Sequence, residues 1–314
     1  MRVLLWHVHG SYTTALVQGS HDYLLPALPD RGPDGRGRAE TWEWPASAVE
    51  VTPQEAADTD VDVVILQRPE ELDRLAEAWL GGRKPGRDVP AIYLEHNAPQ
   101  GRIQEMRHPA ADRPELTVVH VTQFNRLFWD TGATPARVVE HGIVDPGYQY
   151  SGELERAVAV VNEPVRRGRV TGTDLLRPLV EAAAVPVDLF GMKSEEIGGT
   201  DVPQSVLHAE MARRRAYLHP IRWTSLGLTL IEAMQLGMPV LALATTEVPA
   251  AVPPEAGIVS NDPAVLAEAL RRLVDEPELA RMMGKAARAA ALERFGLERF
   301  LADWDAVLRE VVQG

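Results

Sequence analysis

The sequence predicts an α/β protein made of two successive parallel-sheet units, and three observations carry that prediction. Between Arg2 and Glu140, short runs dense in Val, Ile and Leu alternate with helix-like segments. Continuous apolar runs of that kind read as strands buried on both faces, as a parallel sheet with helices on either side requires. The segment Asp145-Pro146-Gly147-Tyr148-Gln149-Tyr150-Ser151-Gly152 then interrupts the series as a linker, and a second strand–helix series begins at Ala157. At 314 residues and 45% hydrophobic, the chain is long enough to bury two cores.

Arg2 to Val8 is the first buried strand, opening onto His9-Gly10-Ser11-Tyr12-Thr13-Thr14 as a loop, with a helix-like stretch from Ala15. His7 and His9 alternate at the strand end, so they face the same way and invite a metal reading that needs further ligands from elsewhere. The other reading places one histidine in the core and one at the mouth of a cleft. Pro26 to Gly37 reads as a Pro/Gly/Asp-rich loop leading to Ala39–Pro45. Val61 to Leu66 is a second strand, followed by a charged helix from Pro69 to Leu80. Pro90 to Leu94 is a third strand, ending in Glu95-His96-Asn97. A histidine at the carboxyl end of a parallel strand lies where open α/β sheets bind ligands, so His96 is a candidate for ligand contact, with a structural histidine as the alternative. Leu116–Val121 and Ala136–Glu140 complete the first series.

The balance of charge excludes several classes. A net charge of −13 argues against nucleic acid, which needs a basic face, and weakens the case for anchoring to anionic lipid, although a local basic patch could still serve peripheral membrane contact. Without cysteine there is no disulfide, thiolate metal site or cysteine nucleophile. No run reaches membrane-spanning length and Met1–Trp6 is too short for a signal sequence, so the expected location is the cytoplasm.

In the second series, Ala157–Val161 reads as a strand followed by Asn162-Glu163-Pro164-Val165-Arg166-Arg167-Gly168-Arg169. A basic cluster after a strand, in an acidic chain, suits a phosphate; a solvated loop is the plain alternative. Pro186–Phe190 is the next strand, and Arg213-Arg214-Arg215 reads as a solvated helix end, with an anionic-surface contact as the alternative. The stretch Tyr217 to Thr245 then reads as strand, loop, helix, strand. Its loop, Ile221 to Gly227, enters a helix from Leu228 to Leu236 that Gly237 stops, and Pro239 precedes the strand Val240–Leu243. A small-residue turn entering a helix leaves free N–H groups at the positive end of the helix dipole, a site for phosphate formed by Ser225, Gly227, Leu228 and Thr229. Glu232, about one turn in, suits a pair of ribose hydroxyls. Together these features point to a nucleotide diphosphate. Ala264–Val274 is amphipathic, and in the final helix Phe300, Trp304, Leu308 and Val312 form an apolar stripe.

Ser225-Leu226-Gly227-Leu228-Thr229-Leu230-Ile231-Glu232-Ala233-Met234, with Gly237-Met238-Pro239-Val240, resembles the donor-site signature of GT-B glycosyltransferases, nearest the retaining group often called family 4. The resemblance continues through Glu247-Val248-Pro249, Asp262-Pro263, Leu273, Asp275-Glu276-Pro277-Glu278-Leu279 and Met283-Gly284 to Arg294-Phe295, and covers the rest of the chain loosely. It implies two Rossmann-like domains facing each other across a cleft. Residues 1–149 plus 296–314 would form the acceptor-side domain, closed by His141-Gly142-Ile143-Val144-Asp145 and by a C-terminal helix crossing back. Residues 150–295 would form the donor domain. Gly10 to Thr14 matches a loop that approaches donor phosphates, and Thr245–Pro249 one that binds donor sugar or phosphate through backbone amides.

Two positions depart from the family's usual residues. Asn162 stands where the family carries an Arg, while Arg167-Gly168 matches its Lys-Gly. Asn162 can hydrogen-bond an oxyanion without neutralising it, so Arg166, Arg167 or Arg169 has to supply the charge. Thr224 stands where the family has a Glu eight residues before Glu232. Asp60-Val61-Asp62 matches the Asp-x-Asp of metal-dependent sugar transferases but lies at the amino end of its strand, and carries little weight.

The reading is sugar transfer from a nucleotide-diphosphate sugar, the co-substrate, to a hydroxyl acceptor, with retention and without a metal or other cofactor implied by the resemblance. Arg167, Glu232 and His96 are the residues expected at the chemistry. Gly10, Asn162, Arg166, Arg167, Thr224, Ser225, Gly227, Leu228, Thr229 and Glu232 are those expected on the donor. Two rivals stand beside it. A metallohydrolase on His7 and His9 predicts a bound ion, and a non-catalytic nucleotide-sugar binder predicts binding without turnover. No Gly-x-Gly-x-x-Gly follows a strand, which argues against a nicotinamide enzyme.

Overall fold

The computed structural model describes residues 1–314, which divide into two compact units: Met1–Val144 with Leu297–Gly314, and Asp145–Gly296. In the first, the strands are β1 Arg2–Leu5, β2 Asp22–Pro26, β3 Ala48–Val51, β4 Val63–Leu66, β5 Ala91–Glu95, β6 Thr117–His120 and β7 Ala136–Val138. Its helices within residues 1–144 are α1 Gly10–Leu16, α2 Pro53–Asp58, α3 Ala76–Trp79 and α4 Gln123–Phe128. The sheet order is β3-β2-β1-β4-β5-β6-β7, every pairing parallel. The central strands β4 and β5 are buried at every residue because helices cover both faces. Leu4, Trp6, Val64, Leu66 and Tyr93 pack with Ala56, Leu72, Ala76 and Trp79 into one core, with the Trp6 and Trp79 rings edge to face at 6.4 Å.

The second unit carries β8 Leu154–Val160, α5 Pro164–Arg167, α6 Leu176–Ala183, β9 Val187–Phe190, α7 Gln204–Ala212, β10 Arg214–His219, α8 Leu228–Leu236 and β11 Val240–Ala242. It continues through α9 Val248–Ala251, β12 Gly257–Val259, α10 Pro263–Asp275 and α11 Pro277–Phe295. Its sheet, β12-β11-β10-β8-β9, is also all parallel. The last helix, α12 Leu297–Gln313, belongs to the first unit, where Trp304 Nε1 donates to Tyr12 Oη at 2.9 Å.

Both sheets reverse strand direction of winding at one point: between β1 and β4 in the first unit, and between β8 and β10 in the second. The loops leaving those strands at their carboxyl ends diverge to opposite faces and open a crevice, the place where such sheets hold ligands. In the second unit these loops are Val161–Gly168 and Pro220–Gly227, and in the first they follow Leu5 and Leu66.

Several expectations need correction. β2 and β3 occupy stretches read as helix, loop or unassigned, and Gly10–Thr14 is not a loop but most of α1. The helix expected from Pro69 to Leu80 is a wide π-type turn over Glu71–Leu75, with Asp73 off helical geometry, followed by the short α3. Asp62 accepts the Arg2 backbone N–H at 2.7 Å and Asp60 pairs with the Arg2 side chain at 3.4 Å, so the Asp-x-Asp pins strand ends together. Arg214 is not at a solvated helix end: it lies in β10, 8% exposed, with Asp188 at 2.9 Å, Glu210 at 2.7 Å and the Phe190 ring beneath its guanidinium. Val312 is 37% exposed, so the apolar stripe of α12 ends at Leu308.

Candidate functional site

In the second unit the chain leaves β8 at Val161 and turns sharply, with Glu163 in the left-handed region at φ 52°. Lys193 after β9 and Thr246 after β11 share that conformation, so strained backbone gathers at the carboxyl edge of this sheet. Asn162 Oδ1 accepts the Met192 N–H at 2.9 Å, which leaves only its amide hydrogens to offer a ligand. Glu163 takes Arg166 Nε at 2.8 Å and Lys193 Nζ at 3.1 Å, and these partners hold its carboxyl down to about 2.

The same geometry sorts the basic cluster. Arg166 is paired with Glu163, and Arg169 reaches Asp174 at 3.0 Å. Arg167 has no carboxylate partner. It is half-buried, and burial together with the neighbouring Arg166 lowers its pKa from the ordinary value without discharging it. Among these three arginines, Arg167 is the one with its charge uncommitted.

The loop after β10 is tied to the loop after α5. The Arg222 N–H donates to Val170 O at 2.9 Å, and its guanidinium grips Asp174 through two bonds of 2.6 and 2.9 Å. Gly172, at φ +68°, fits beneath Pro220 because any Cβ there would overlap the Pro220 carbonyl. Thr245 Oγ1 donates to Ile221 O at 2.9 Å and anchors the far side. The result is a fixed cradle whose rim is the start of α8.

Helix α8 runs from Leu228 to Leu236, with Gly227 as N-cap and Gly237 as the left-handed stop at φ 88°, as the sequence predicts. Gly227 brings no capping side chain, so the first N–H groups of the helix stay available to a ligand. It must be glycine for a second reason: a Cβ would sit 2.6 Å from Cε1 of His219 directly below. His219 is buried and held down to about 4, mainly by burial and also by Arg167, which places that guanidinium's field at the same spot. Tyr217 Oη lies 3.3 Å from His219 Nδ1.

Thr224 is half-buried and Ser225 is 3% exposed on the same loop, and Leu228 and Thr229 form the first turn. Glu232, 5% exposed, has His208 Nε2 of α7 at 3.3 Å from its Oε2. His208 and His219 are therefore parts of this site that sequence reasoning passed over. Asn162, Arg166 and Arg167 lie on the segment after β8, Thr224, Ser225 and Gly227 on the loop after β10, and Leu228, Thr229 and Glu232 on α8.

Gly10 and His96 lie in the first unit, at the carboxyl ends of β1 and β5. Gly10 opens α1. His96 is 9% exposed, bonded through Nε2 to Gln67 Oε1 at 2.9 Å, and packed against the His9 ring at 4.2 Å and the Tyr12 ring at 4.6 Å. His7 Nδ1 meets Gly37 O at 3.1 Å, and no group of three His, Asp or Glu side chains is placed to hold a metal ion. The His7/His9 pair is thus not completed into a metal centre.

The two parallel sheets with these strand orders match the GT-B architecture of known glycosyltransferases. Sucrose-phosphate synthase from Thermosynechococcus elongatus superposes with a TM-score of 0.71 at 15% identity, over 99% of this chain and 98% of that one. HepE from Anabaena, solved with UDP, gives 0.68 at 14% identity over 99% and 100%. A glycosyltransferase from Rickettsia africae gives 0.68 at 13% identity over 100% and 99%. The family model for glycosyl transferases group 1 matches residues 199–290, the segment that contains α8 and the loop before it. No curated protein sequence matches the chain. No helix is long and apolar enough to cross a membrane.

Proposed function

We propose that the protein is a glycosyltransferase of the retaining, metal-independent kind, moving a sugar from a nucleoside-diphosphate sugar to a hydroxyl acceptor. The observation that carries this reading is the uncommitted Arg167, whose charge acts on His219, the residue against which the uncapped start of α8 packs through Gly227, at the switch point of a parallel sheet. A diphosphate there meets one full positive charge and a set of helix N–H donors. Asn162 adds amide hydrogens, and Arg166 adds a charge already shared with Glu163. Glu232 with His208 is the pair for the ribose hydroxyls. HepE has been solved with UDP and with UDP-glucose, which makes UDP the first nucleotide to try.

Catalysis on this reading rests on charge and position. As the bond from the anomeric carbon to the diphosphate oxygen breaks, negative charge grows on the leaving group. Arg167 and the N–H groups of Leu228 and Thr229 stabilise that charge more in the transition state than in the ground state. Ser225 and Thr224 line the cradle, and His96 contacts a sugar hydroxyl. The unit Met1–Val144 with Leu297–Gly314 serves the acceptor and the unit Asp145–Gly296 the donor.

Asn162 and Thr224 favour a second reading, a nucleotide-sugar binder without turnover, because both replace charged residues with neutral ones. A thermal-shift panel of UDP, GDP and ADP, with and without EDTA, on wild type and Glu232→Ala, tests the donor site. UDP release from UDP-glucose over a panel of hydroxyl acceptors separates enzyme from binder. Stabilisation by one diphosphate, indifferent to EDTA and weakened in the variant, is expected. A melting temperature that responds to EDTA and to no nucleotide contradicts the reading.

A further inference from the structure

Helix α6 and strand β9 border a cavity of about 920 Å³ in the second unit, the size of a small-molecule pocket. It runs along β9, the outermost strand of that sheet. Leu176 and Val180 of α6, with Val187 and Leu189 of β9, make much of it apolar. Val165 and Ile197 also line it and are exposed, so this apolar surface is open to a ligand. Phe190 lines it too, with the Arg214 guanidinium 4.9 Å from the ring centroid.

The polar lining is basic, in a chain of net charge −13. Arg156, Arg169, Arg177 and Arg214 stand there against Asp174 and Asp188. Asp188 is divided between Arg214 at 2.9 Å and Arg156 at 3.1 Å. Asp174 is divided between Arg222, through bonds of 2.6 and 2.9 Å, and Arg169 at 3.0 Å. Two carboxylates thus serve four arginines. Glu210 also meets Arg214, but is itself shared with Arg213, and Arg177 is taken by Glu181 at 2.8 Å. Arg156 and Arg169 are the accessible members, with side chains 42% and 79% exposed. An apolar pocket with two reachable guanidinium groups suits a small organic anion, since guanidinium pairs with carboxylate and phosphate oxygens alike.

The same cavity lies behind α5. Pro164, Val165, Gly168 and Arg169 line it, whereas Arg166 and Arg167 do not. At 3.6 residues per turn, positions 164, 165 and 168 share one face and position 167 falls on another. The turn that carries Arg167 therefore rests its other side on this cavity.

We propose that the cavity along β9 is an effector site for a small organic phosphate or carboxylate with an apolar body, held by Arg156 and Arg169. Its occupant braces α5 from behind and raises the affinity of the diphosphate site at Arg167. The anion site stands by itself; the coupling rests on the proposed function.

Phenyl phosphate and benzoate are the probes, with benzyl alcohol as the neutral control, each titrated into the full chain and followed by ¹H–¹⁵N NMR. Saturable shifts are expected with at least one anion, and affinity at least about fivefold weaker with benzyl alcohol. Arg156→Gln, and separately Val180→Glu, are expected to weaken the anion by about fivefold or more. Arg167→Ala is expected to leave it within about twofold, because Arg167 does not line the cavity. No saturable binding of either anion, equal binding of benzyl alcohol, or an unchanged affinity in folded Arg156→Gln overturns the proposal. A loss confined to Arg167→Ala also overturns it, because the probe then occupies the diphosphate site. By reciprocity of linked sites, a saturating anion is expected to tighten UDP by about threefold or more, and an unchanged UDP affinity overturns the coupling. A wild-type chain that binds no nucleoside diphosphate overturns the proposed function instead, and leaves the anion titrations standing.

Discussion

Arg166, Arg167 and Arg169 look alike in the sequence and differ in what surrounds them. Arg166 is satisfied by Glu163 three residues earlier, and Arg169 shares Asp174 with Arg222. Arg167 alone keeps its charge for a ligand while partly withdrawn from water, where such a charge acts more strongly. Arg167→Ala is therefore expected to weaken UDP binding by about tenfold or more, the worth of a hydrogen bond to a charged group. Arg166→Ala is expected to change it by no more than about twofold, since Arg166 is itself exposed and its pairing is screened. Calorimetric titration of both variants checks the pair, and equal losses contradict the distinction. Which arginine is uncommitted was not legible locally. The Arg166–Glu163 pair is a short-range i,i+3 contact, but the Arg222 that shares Asp174 with Arg169 comes from another loop. The contact of His208 with Glu232 joins α7 to α8 and leaves no mark in either segment.

Among the elements, α8 and its flanking strands were legible because every local signal agreed: an uncapped glycine start, a buried apolar helix, a left-handed glycine stop and a proline before β11. β2 and β3 were not. β2 begins with Asp22 and ends on Pro26, and β3 is a four-residue edge strand with Val49 47% exposed. β2 is held by pairing with β1 and β3 by pairing with β2, long-range facts that no local period records. The Arg214 ion network is another case, since its partner Asp188 belongs to β9. At this scale the cradle depends on the lock between the loops after α5 and β10. Gly172→Ala is expected to cost about 2–4 kcal/mol, from overlap with the Pro220 carbonyl and from a left-handed alanine. Its melting temperature should fall, and UDP affinity with it. A variant with unchanged melting would show that the loops are not locked at Gly172.

Across the whole molecule, buried histidines set the response to acid. His9 and His219 are held down to about 4, and His120 and His141 to about 3, chiefly by burial. Both ring nitrogens of His120 and of His141 are buried without hydrogen-bond partners, so nothing in the fold welcomes a second proton there. In the unfolded chain each histidine titrates near 6.5. Between those values the unfolded chain binds protons that the folded chain refuses, so stability rises with pH. It is fully present above about 6.5 and is lost as the pH falls toward about 4. Melting temperatures across pH 4 to 8 are expected to be level at the upper end and to drop steeply below about 6.5. A level profile down to pH 5 contradicts the assignment of these side chains as buried and neutral.

The direct test of the central claim is calorimetric titration of UDP, GDP and ADP into wild type and Arg167→Ala, in EDTA. The account predicts saturable binding of one diphosphate to wild type, and binding weakened by about tenfold or more in the variant at an unchanged melting temperature. Absence of binding by all three nucleotides, or equal affinity in wild type and Arg167→Ala, would contradict a diphosphate site at the start of α8.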